Sequence, residues 1–139
     1  MLISSLEINC YIYEKKMNLL SDIGKLILRI SFSLILIPHG WSKINRLFAE
    51  DIKFSDPIGI GEVPSLILVA FAEFMAPILI ILGFKTRWFS IFPIITMVVV
   101  AFIHKWDQGF FEIEKALLFL SGFIAIALIG PGKYSIDKR

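Results

Sequence analysis

The chain has 139 residues, of which 57% are hydrophobic, and its mean hydropathy is +0.79. Soluble domains average about 45–50% apolar residues, so a core of this size cannot bury the excess and lipid is the expected solvent. The 14 basic and 12 acidic residues are dispersed along the chain, which argues against a nucleic-acid-binding face.

The first twenty residues contain charges and one cysteine, Cys10. A lone cysteine excludes an intramolecular disulfide, a CxxC redox pair and a four-thiolate metal site. Glu7, Glu14, Lys15 and Lys16 interrupt this segment, so it is not a cleavable signal peptide. Because the string MNLL at 17–20 resembles a natural start shortly before the first apolar stretch, we interpret residues 1–16 as a dispensable tail or a mis-called start.

Four apolar stretches meet or approach the roughly 20 residues that a transmembrane helix needs. They cover residues 23–41, 63–84, 88–104 and 113–130. Aromatic rings that favour the headgroup region lie at their ends, at Trp41, Trp88, Trp106 and Tyr134. The sequence therefore predicts an all-α fold, an integral membrane four-helix bundle in a lipid bilayer.

The basic residues predict the orientation, because lysine and arginine favour cytoplasmic loops. One side carries Lys15, Lys16, Lys25, Lys85, Arg87, Lys133, Lys138 and Arg139. The other carries Lys43, Arg46, Lys53 and Lys105, with Lys115 at the border. We therefore expect both termini in the cytoplasm. The only long loop, residues 42–62, then lies over the outer mouth of the bundle.

Ionisable side chains within a bilayer are costly, so each one is a candidate functional residue. Glu73 lies near the centre of the second span, and Arg29 lies roughly two turns inside the first. A lone carboxylate at that depth would be protonated or paired. The sequence therefore predicts a buried ion pair of Arg29 and Glu73. The pair is either structural or functional, and an unpaired Glu73 would be able to relay protons.

Two histidines end two spans at one level of the membrane, where the fourth span also begins. His39 and His104 would face Glu112 and Glu114 in one outer pocket. Such a set could bind a metal, ligate haem or donate hydrogen bonds to a quinone carbonyl. Two histidines without a ligand-spacing motif argue against a metal, whereas a quinone needs only one or two donors over an apolar pocket. Alternatively, each histidine is an interfacial residue beside its tryptophan.

Several strings in this sequence resemble the DoxX family of small four-helix bacterial membrane proteins. They are LRI at 28–30, PHGWSK at 38–43, AE at 72–73, LGFKTR at 82–87, Glu114, and GPGKYSID at 130–137. The resemblance places the family's polar signature on Arg29, His39, Lys43, Glu73 and Glu114. It also divides the chain into a cytoplasmic tail at 1–21, a DoxX-like domain at 22–132 and a short cytoplasmic tail at 133–139. The longer, charged first loop and the residues KWD at 105–107 depart from the usual pattern.

The resemblance implies a membrane subunit linked to a redox enzyme, since the family includes relatives of a thiosulfate:quinone oxidoreductase. We expect a non-flavin subunit of a quinone-linked system in the bacterial cytoplasmic membrane, with a polar pocket of His39, His104, Glu114 and Lys43. The sequence has no flavin, iron–sulfur or nucleotide motif, so a soluble or membrane partner protein would supply the electrons.

The alternative function is a small-solute or proton carrier, or a scaffold without catalytic activity. The sequence does not decide whether the chain is an enzyme. Small residues on the second and fourth spans permit close helix packing, either within the chain or between copies in a homo-oligomer. They are Ala70, Ala72, Ala76, Gly83, Ser121, Gly122, Ala125 and Ala127.

Overall fold

The computed structural model describes residues 5–49, 52, 54–56, 59–104 and 110–137, without the side chains of residues 5, 6, 104 and 110–112. Its regular structure is entirely helical in those ranges. Helix α1 is Ser5–Leu47 and α2 is Glu62–Leu82. Helix α3 runs through Thr86–Phe89, Ile91–Val99 and Val100–His104, and α4 is Phe110–Ile129. The predicted all-α membrane bundle is confirmed.

Some sequence-based expectations fall outside these ranges. Trp106, which the sequence places at the end of the third span, is among the residues not described. So are four of the basic residues used to predict the orientation, namely Lys53, Lys105, Lys138 and Arg139.

The surface of the bundle is apolar where a bilayer would touch it. Two helices, Glu62–Leu82 and Thr86–Ile103, are long and apolar enough to cross a membrane. Large hydrophobic side chains such as Trp88, Ile95 and Leu128 point outward and are more than half exposed. Soluble monomers rarely expose apolar patches larger than a few hundred Å². The outward faces are therefore suited to contact with hydrocarbon. The core is filled by smaller residues and by buried side chains such as Leu36 and Phe123.

Helix α1 is much longer than the span that the sequence predicts. It has 43 residues and passes through Pro38 without ending. At about 1.5 Å per residue it is roughly twice as long as the hydrocarbon core is thick. Its described start at Ser5 lies in the predicted tail, and its end at Leu47 lies inside the predicted first loop.

Glycine residues bring α1 and α2 into close antiparallel contact. A Cβ atom on Gly40 would lie 2.5 Å from the carbonyl carbon of Glu73 and 2.6 Å from its oxygen, so only a residue without a side chain fits. A π-helical turn, Phe71–Met75, widens α2 at this point. At the other end of the pair Gly83 ends α2 in the left-handed conformation with φ 74°. Its missing side chain leaves room for the Arg29 guanidinium.

The chain after α4 folds back across the C-terminal end of α2 and across α1 near Arg29, and we call residues 130–137 the C-terminal strap. The backbone N–H of Ile136 donates to the carbonyl of Leu82 at 3.2 Å, and that of Asp137 donates to the carbonyl of Gly83 at 3.2 Å. The Arg29 guanidinium donates to the carbonyl oxygen of Tyr134. The bundle thus has a strap end, and a loop end where α1 ends and α2 begins.

Substituting Gly40 tests whether its contact with Glu73 holds α1 against α2. We expect Gly40→Ala to lower the free energy of unfolding by about 1–3 kcal/mol, because the new methyl group meets backbone that no rotamer change can move. The matched control is Gly24→Ala on the same helix, where a Cβ would have no neighbour within 4 Å. The control should be neutral or stabilising by up to about 1 kcal/mol. Equal effects of the two substitutions on thermal unfolding in detergent would contradict the close contact.

Candidate functional site

A cavity of about 610 Å³ lies at the loop end of the bundle. All four helices and the loop after α1 contribute to its lining, and most of the wall is apolar. The apolar lining includes Leu36, Leu68, Val69, Ala72, Phe92, Ile95, Met97, Val99, Val100, Ala116 and Phe119. We call this space the loop-end cavity. Ligand pockets usually combine such apolar walls with a few convergent polar groups.

An ion pair supplies polar groups to this cavity. The Lys43 ammonium on α1 donates to the Glu73 carboxylate on α2, with Nζ and Oε2 3.1 Å apart. The Glu73 side chain is only 6% exposed, and that of Lys43 is 22% exposed. Lys43 lies one turn beyond Gly40, so the same close contact that joins the helices brings the two charges together. Because a buried carboxylate is very costly without a partner, the pair compensates the charge of Glu73.

Glu73 also occupies an unusual stretch of backbone. It lies in the middle of the π-helical turn Phe71–Met75. Such turns interrupt the regular α-helical hydrogen bonds and are frequent at functional sites. Here the turn places the carboxylate on the wall of the cavity while the Glu73 backbone touches Gly40.

The predicted ion pair of Arg29 and Glu73 is not formed. Glu73 lies level with Gly40, whereas Arg29 lies at the strap end beside Gly83. The eleven positions from Arg29 to Gly40 span about 16 Å, which is beyond the reach of an arginine side chain. The prediction was wrong because it placed Glu73 only a few residues deeper than Arg29. In the structure α1 continues to Leu47, and the register of α2 shifts accordingly.

Two of the four residues of the predicted polar pocket line the same cavity. His39 and Lys43 both line the cavity, and the His39 ring meets Phe119 edge to face at 6.3 Å between centroids. Glu114 is exposed and is not among the described lining residues, whereas its neighbour Lys115 is. The side chains of His104 and Glu112 lie outside the described part of the chain. No three histidine, cysteine, aspartate or glutamate side chains come together as a metal-ligand set within the described residues.

Sequence reasoning missed several polar residues of the lining, among them Arg46, Ser65, Thr96 and Lys115. Arg46 could have been found from helical spacing, because Leu36, His39, Lys43 and Arg46 recur every three or four positions on one face of α1. The sequence analysis instead ended the helix at Trp41. Among the described lining residues, Lys43, Arg46 and Lys115 are cationic, and Glu73 is the one carboxylate.

A carboxylate cap attaches the loop to the start of α2. The Asp56 carboxylate accepts hydrogen bonds from the Ser65 hydroxyl at 2.7 Å and from the backbone N–H groups of Gly59, Ile60 and Gly61. The Ser65 hydroxyl and the Gly61 N–H lower the pKa of Asp56 below its usual range. The cap therefore stabilises the loop at neutral pH, and it is lost only when acidification protonates Asp56.

Comparisons with known proteins place the chain among bacterial membrane proteins. The DoxX family model matches residues 24–106, which include most of α1, all of α2 and all of α3. Inner membrane protein YqjF of Escherichia coli (strain K12) is 32% identical over 128 residues, covering 88% of this chain and 95% of the relative. Inner membrane protein YphA of the same organism is 31% identical over 125 residues, covering 82% and 88%. No solved structure matches the chain.

The observed pairing predicts which charges are energetically coupled. We expect a double-mutant cycle with Lys43→Met and Glu73→Gln to give a coupling energy of about 0.5–3 kcal/mol in unfolding free energy, as for residues in contact. The cycle with Arg29→Met and Glu73→Gln is the control and should be additive within about 0.5 kcal/mol. Unfolding of detergent-solubilised protein measures both cycles. Coupling between Arg29 and Glu73, with none for Lys43, would overturn the observed register of α1 and α2.

Proposed function

This chain belongs to the DoxX family, and we propose that it is a quinone-binding, non-flavin membrane subunit of a redox system in the bacterial inner membrane. The observation that carries the proposal is the loop-end cavity, whose walls are apolar while His39, Lys43 and Glu73 supply polar groups at its lining. The inner membrane location is proposed because both curated relatives are named inner membrane proteins.

The cavity suits the chemistry of a quinone. A quinone headgroup is a flat, largely apolar ring with carbonyl oxygens that accept hydrogen bonds. The Lys43 ammonium has three N–H donors and gives one to Glu73, which leaves donors for a carbonyl oxygen. Phe92 and Phe119 add aromatic surface to the walls. The volume of about 610 Å³ falls within the roughly 300–1,000 Å³ of typical ligand pockets.

The proposal assigns different roles to this chain and to a partner. Reduction of a quinone to a hydroquinone takes two electrons and two protons. A soluble or membrane partner protein with its own redox group would provide the electrons. The Lys43–Glu73 pair would orient the headgroup through the remaining Lys43 donors, and both protons would come from water. In this scheme the chain binds and positions the quinone, and the electron-transfer chemistry belongs to the complex.

One observation favours the second candidate, a proton or small-solute carrier. Glu73 is a buried carboxylate that lines a cavity, and such residues within membrane helices often mark proton or solute pathways. A carrier would need Glu73 to change its protonation state or its partner during transport. A neutral side chain at position 73 would therefore abolish transport by a carrier, and this substitution distinguishes the two candidates.

Bound quinone is the direct test of the first proposal. Protein purified in mild detergent should carry extractable quinone, and His39→Ala and Lys43→Met should each lower the amount per protein at least tenfold, which corresponds to about 1.4 kcal/mol of binding free energy. Lys85→Met, at the exposed turn between α2 and α3, is the control for removing a lysine and should retain it. Quinone is measured by chromatography of solvent extracts.

A cavity-filling pair of variants separates loss of binding from loss of folding. Ala72 is 2% exposed and lines the cavity, whereas Met75 on the same helix is 51% exposed. Ala72→Phe should therefore displace quinone while leaving Lys43 and Glu73 in place, and Met75→Phe should not displace it.

A quinone-free wild-type protein whose Glu73→Gln variant folds normally but loses proton flux in vesicles would favour the carrier instead.

The proposed orientation, with both termini in the cytoplasm, can be tested with the native cysteine. Cys10 is the chain's one cysteine and is exposed on α1 beyond the strap end. A membrane-impermeant maleimide should label it in inside-out vesicles but not in spheroplasts. Phe48 is 85% exposed at the loop end, so Phe48→Cys in a Cys10→Ser background should show the opposite pattern. Labelling of Cys10 in intact spheroplasts would contradict the orientation.

A further inference from the structure

The wall of the loop-end cavity contains side chains that face both its interior and the outside of the bundle. Leu68 on α2 and Ile95 on α3 line the cavity, and each is 55% exposed. A side chain that lines a cavity while remaining half exposed lies at the rim of an opening. The two residues belong to neighbouring antiparallel helices, so the opening lies between α2 and α3.

An aromatic contact marks one limit of this opening. The rings of Phe71 and Phe92 meet edge to face at 5.1 Å between centroids and join the two helices. Leu68 and Ile95 each lie three positions from one of these rings, one turn nearer the loop end. The two helices also pack on different partners. The segment Glu62–Ala70 of α2 packs on α1, whereas the segment Ile91–Val99 of α3 packs on α4. Helices α2 and α3 therefore separate on the loop-end side of the Phe71–Phe92 contact.

The surface around the opening is apolar. Its exposed neighbours on the two helices include Val63, Ile67, Ile91 and Val98. Both helices are apolar enough to cross a membrane, so this surface would face hydrocarbon. By contrast, Lys43 and Glu73 are polar members of the cavity lining. A molecule reaching them through the gap would have to pass through the lipid phase first.

We propose that the gap between Leu68 and Ile95 is a lateral portal, through which a long-chain amphiphile enters from the hydrocarbon and in which its tail remains when the head is bound. For the identity of the head this inference rests on the proposed function, and the ligand is then a quinone with an isoprenoid tail. The tail occupies the portal, and the ring lies among Phe92, Phe119 and His39. The portal itself is a separate claim about the route.

The first experiment compares ligands with and without a tail. Purified protein is titrated with a decyl-substituted benzoquinone and with the same benzoquinone lacking the decyl chain. Leu68→Trp narrows the portal and should weaken binding of the decyl compound at least tenfold, with less than a twofold effect on the tail-less compound. Ile67→Trp is the matched control, because Ile67 is the adjacent residue, is 51% exposed and is not among the described lining residues. Equal effects of Leu68→Trp on both compounds would overturn the portal.

A second experiment tests the portal without any quinone. Thr96 lines the cavity and is 8% exposed, so Thr96→Cys in a Cys10→Ser background places a thiol inside. In vesicles a lipid-soluble N-alkylmaleimide should modify this thiol at least ten times faster than a charged maleimide does. Adding Leu68→Trp should remove most of that advantage, and adding Ile67→Trp should not.

The two experiments distinguish the failure of one claim from the failure of the other. If neither benzoquinone binds but the lipid-soluble reagent keeps its portal-dependent advantage, the portal stands and the proposed quinone function falls. If the charged reagent reacts as fast as the lipid-soluble one, or Leu68→Trp has no effect on labelling, the cavity opens elsewhere and the portal is overturned.

Discussion

The close approach of α1 and α2 at Gly40 is the constraint from which the rest of the arrangement follows. With no side chain at that position, the backbone of Glu73 lies directly against α1. Two antiparallel helices in contact at one point have a single register, so this contact also decides which residues meet along the remainder of their length. It brings Lys43 to the Glu73 carboxylate at one end and Arg29 to Gly83 at the other.

The two buried charges consequently belong to different parts of the molecule. Glu73 lies at the loop end with an ammonium partner and a cavity beside it. Arg29 is 1% exposed at the strap end, where it donates to the Tyr134 carbonyl. A buried guanidinium that donates to the C-terminal strap stabilises the position of that strap over the end of α2. The described contacts of Arg29 therefore lie at the strap end, separate from the cavity.

The sequence predicts the parts of this structure that depend on local composition. It does not predict the contacts that depend on the register between α1 and α2. Hydropathy and aromatic span ends predict four membrane helices, and the strings around His39 and Lys43 identify the family. Hydropathy ends the first span at Trp41, and only the helical spacing of His39, Lys43 and Arg46 indicates that α1 continues to Leu47. That extension turns Arg46 from a loop residue into a lining residue and separates Arg29 from Glu73. A shift of about nine residues along a helix amounts to some 13 Å, which is enough to exchange one ion-pair partner for another.

The loop-end cavity follows from the contrast between two neighbouring contacts. On one side of α2, Gly40 allows close approach to α1, and close packing at small residues contributes to helix association in lipid. On the other side the Phe71 and Phe92 rings join α2 and α3 at one level, and the helices diverge on the loop-end side of that contact. Helix α2 thus packs on α1 while α3 packs on α4, and space remains between the two pairs. Because Lys43 and Glu73 lie on the tightly packed side and the proposed portal lies on the aromatic side, an amphiphile that entered through the portal would meet a polar wall opposite it, and this polarity would orient it.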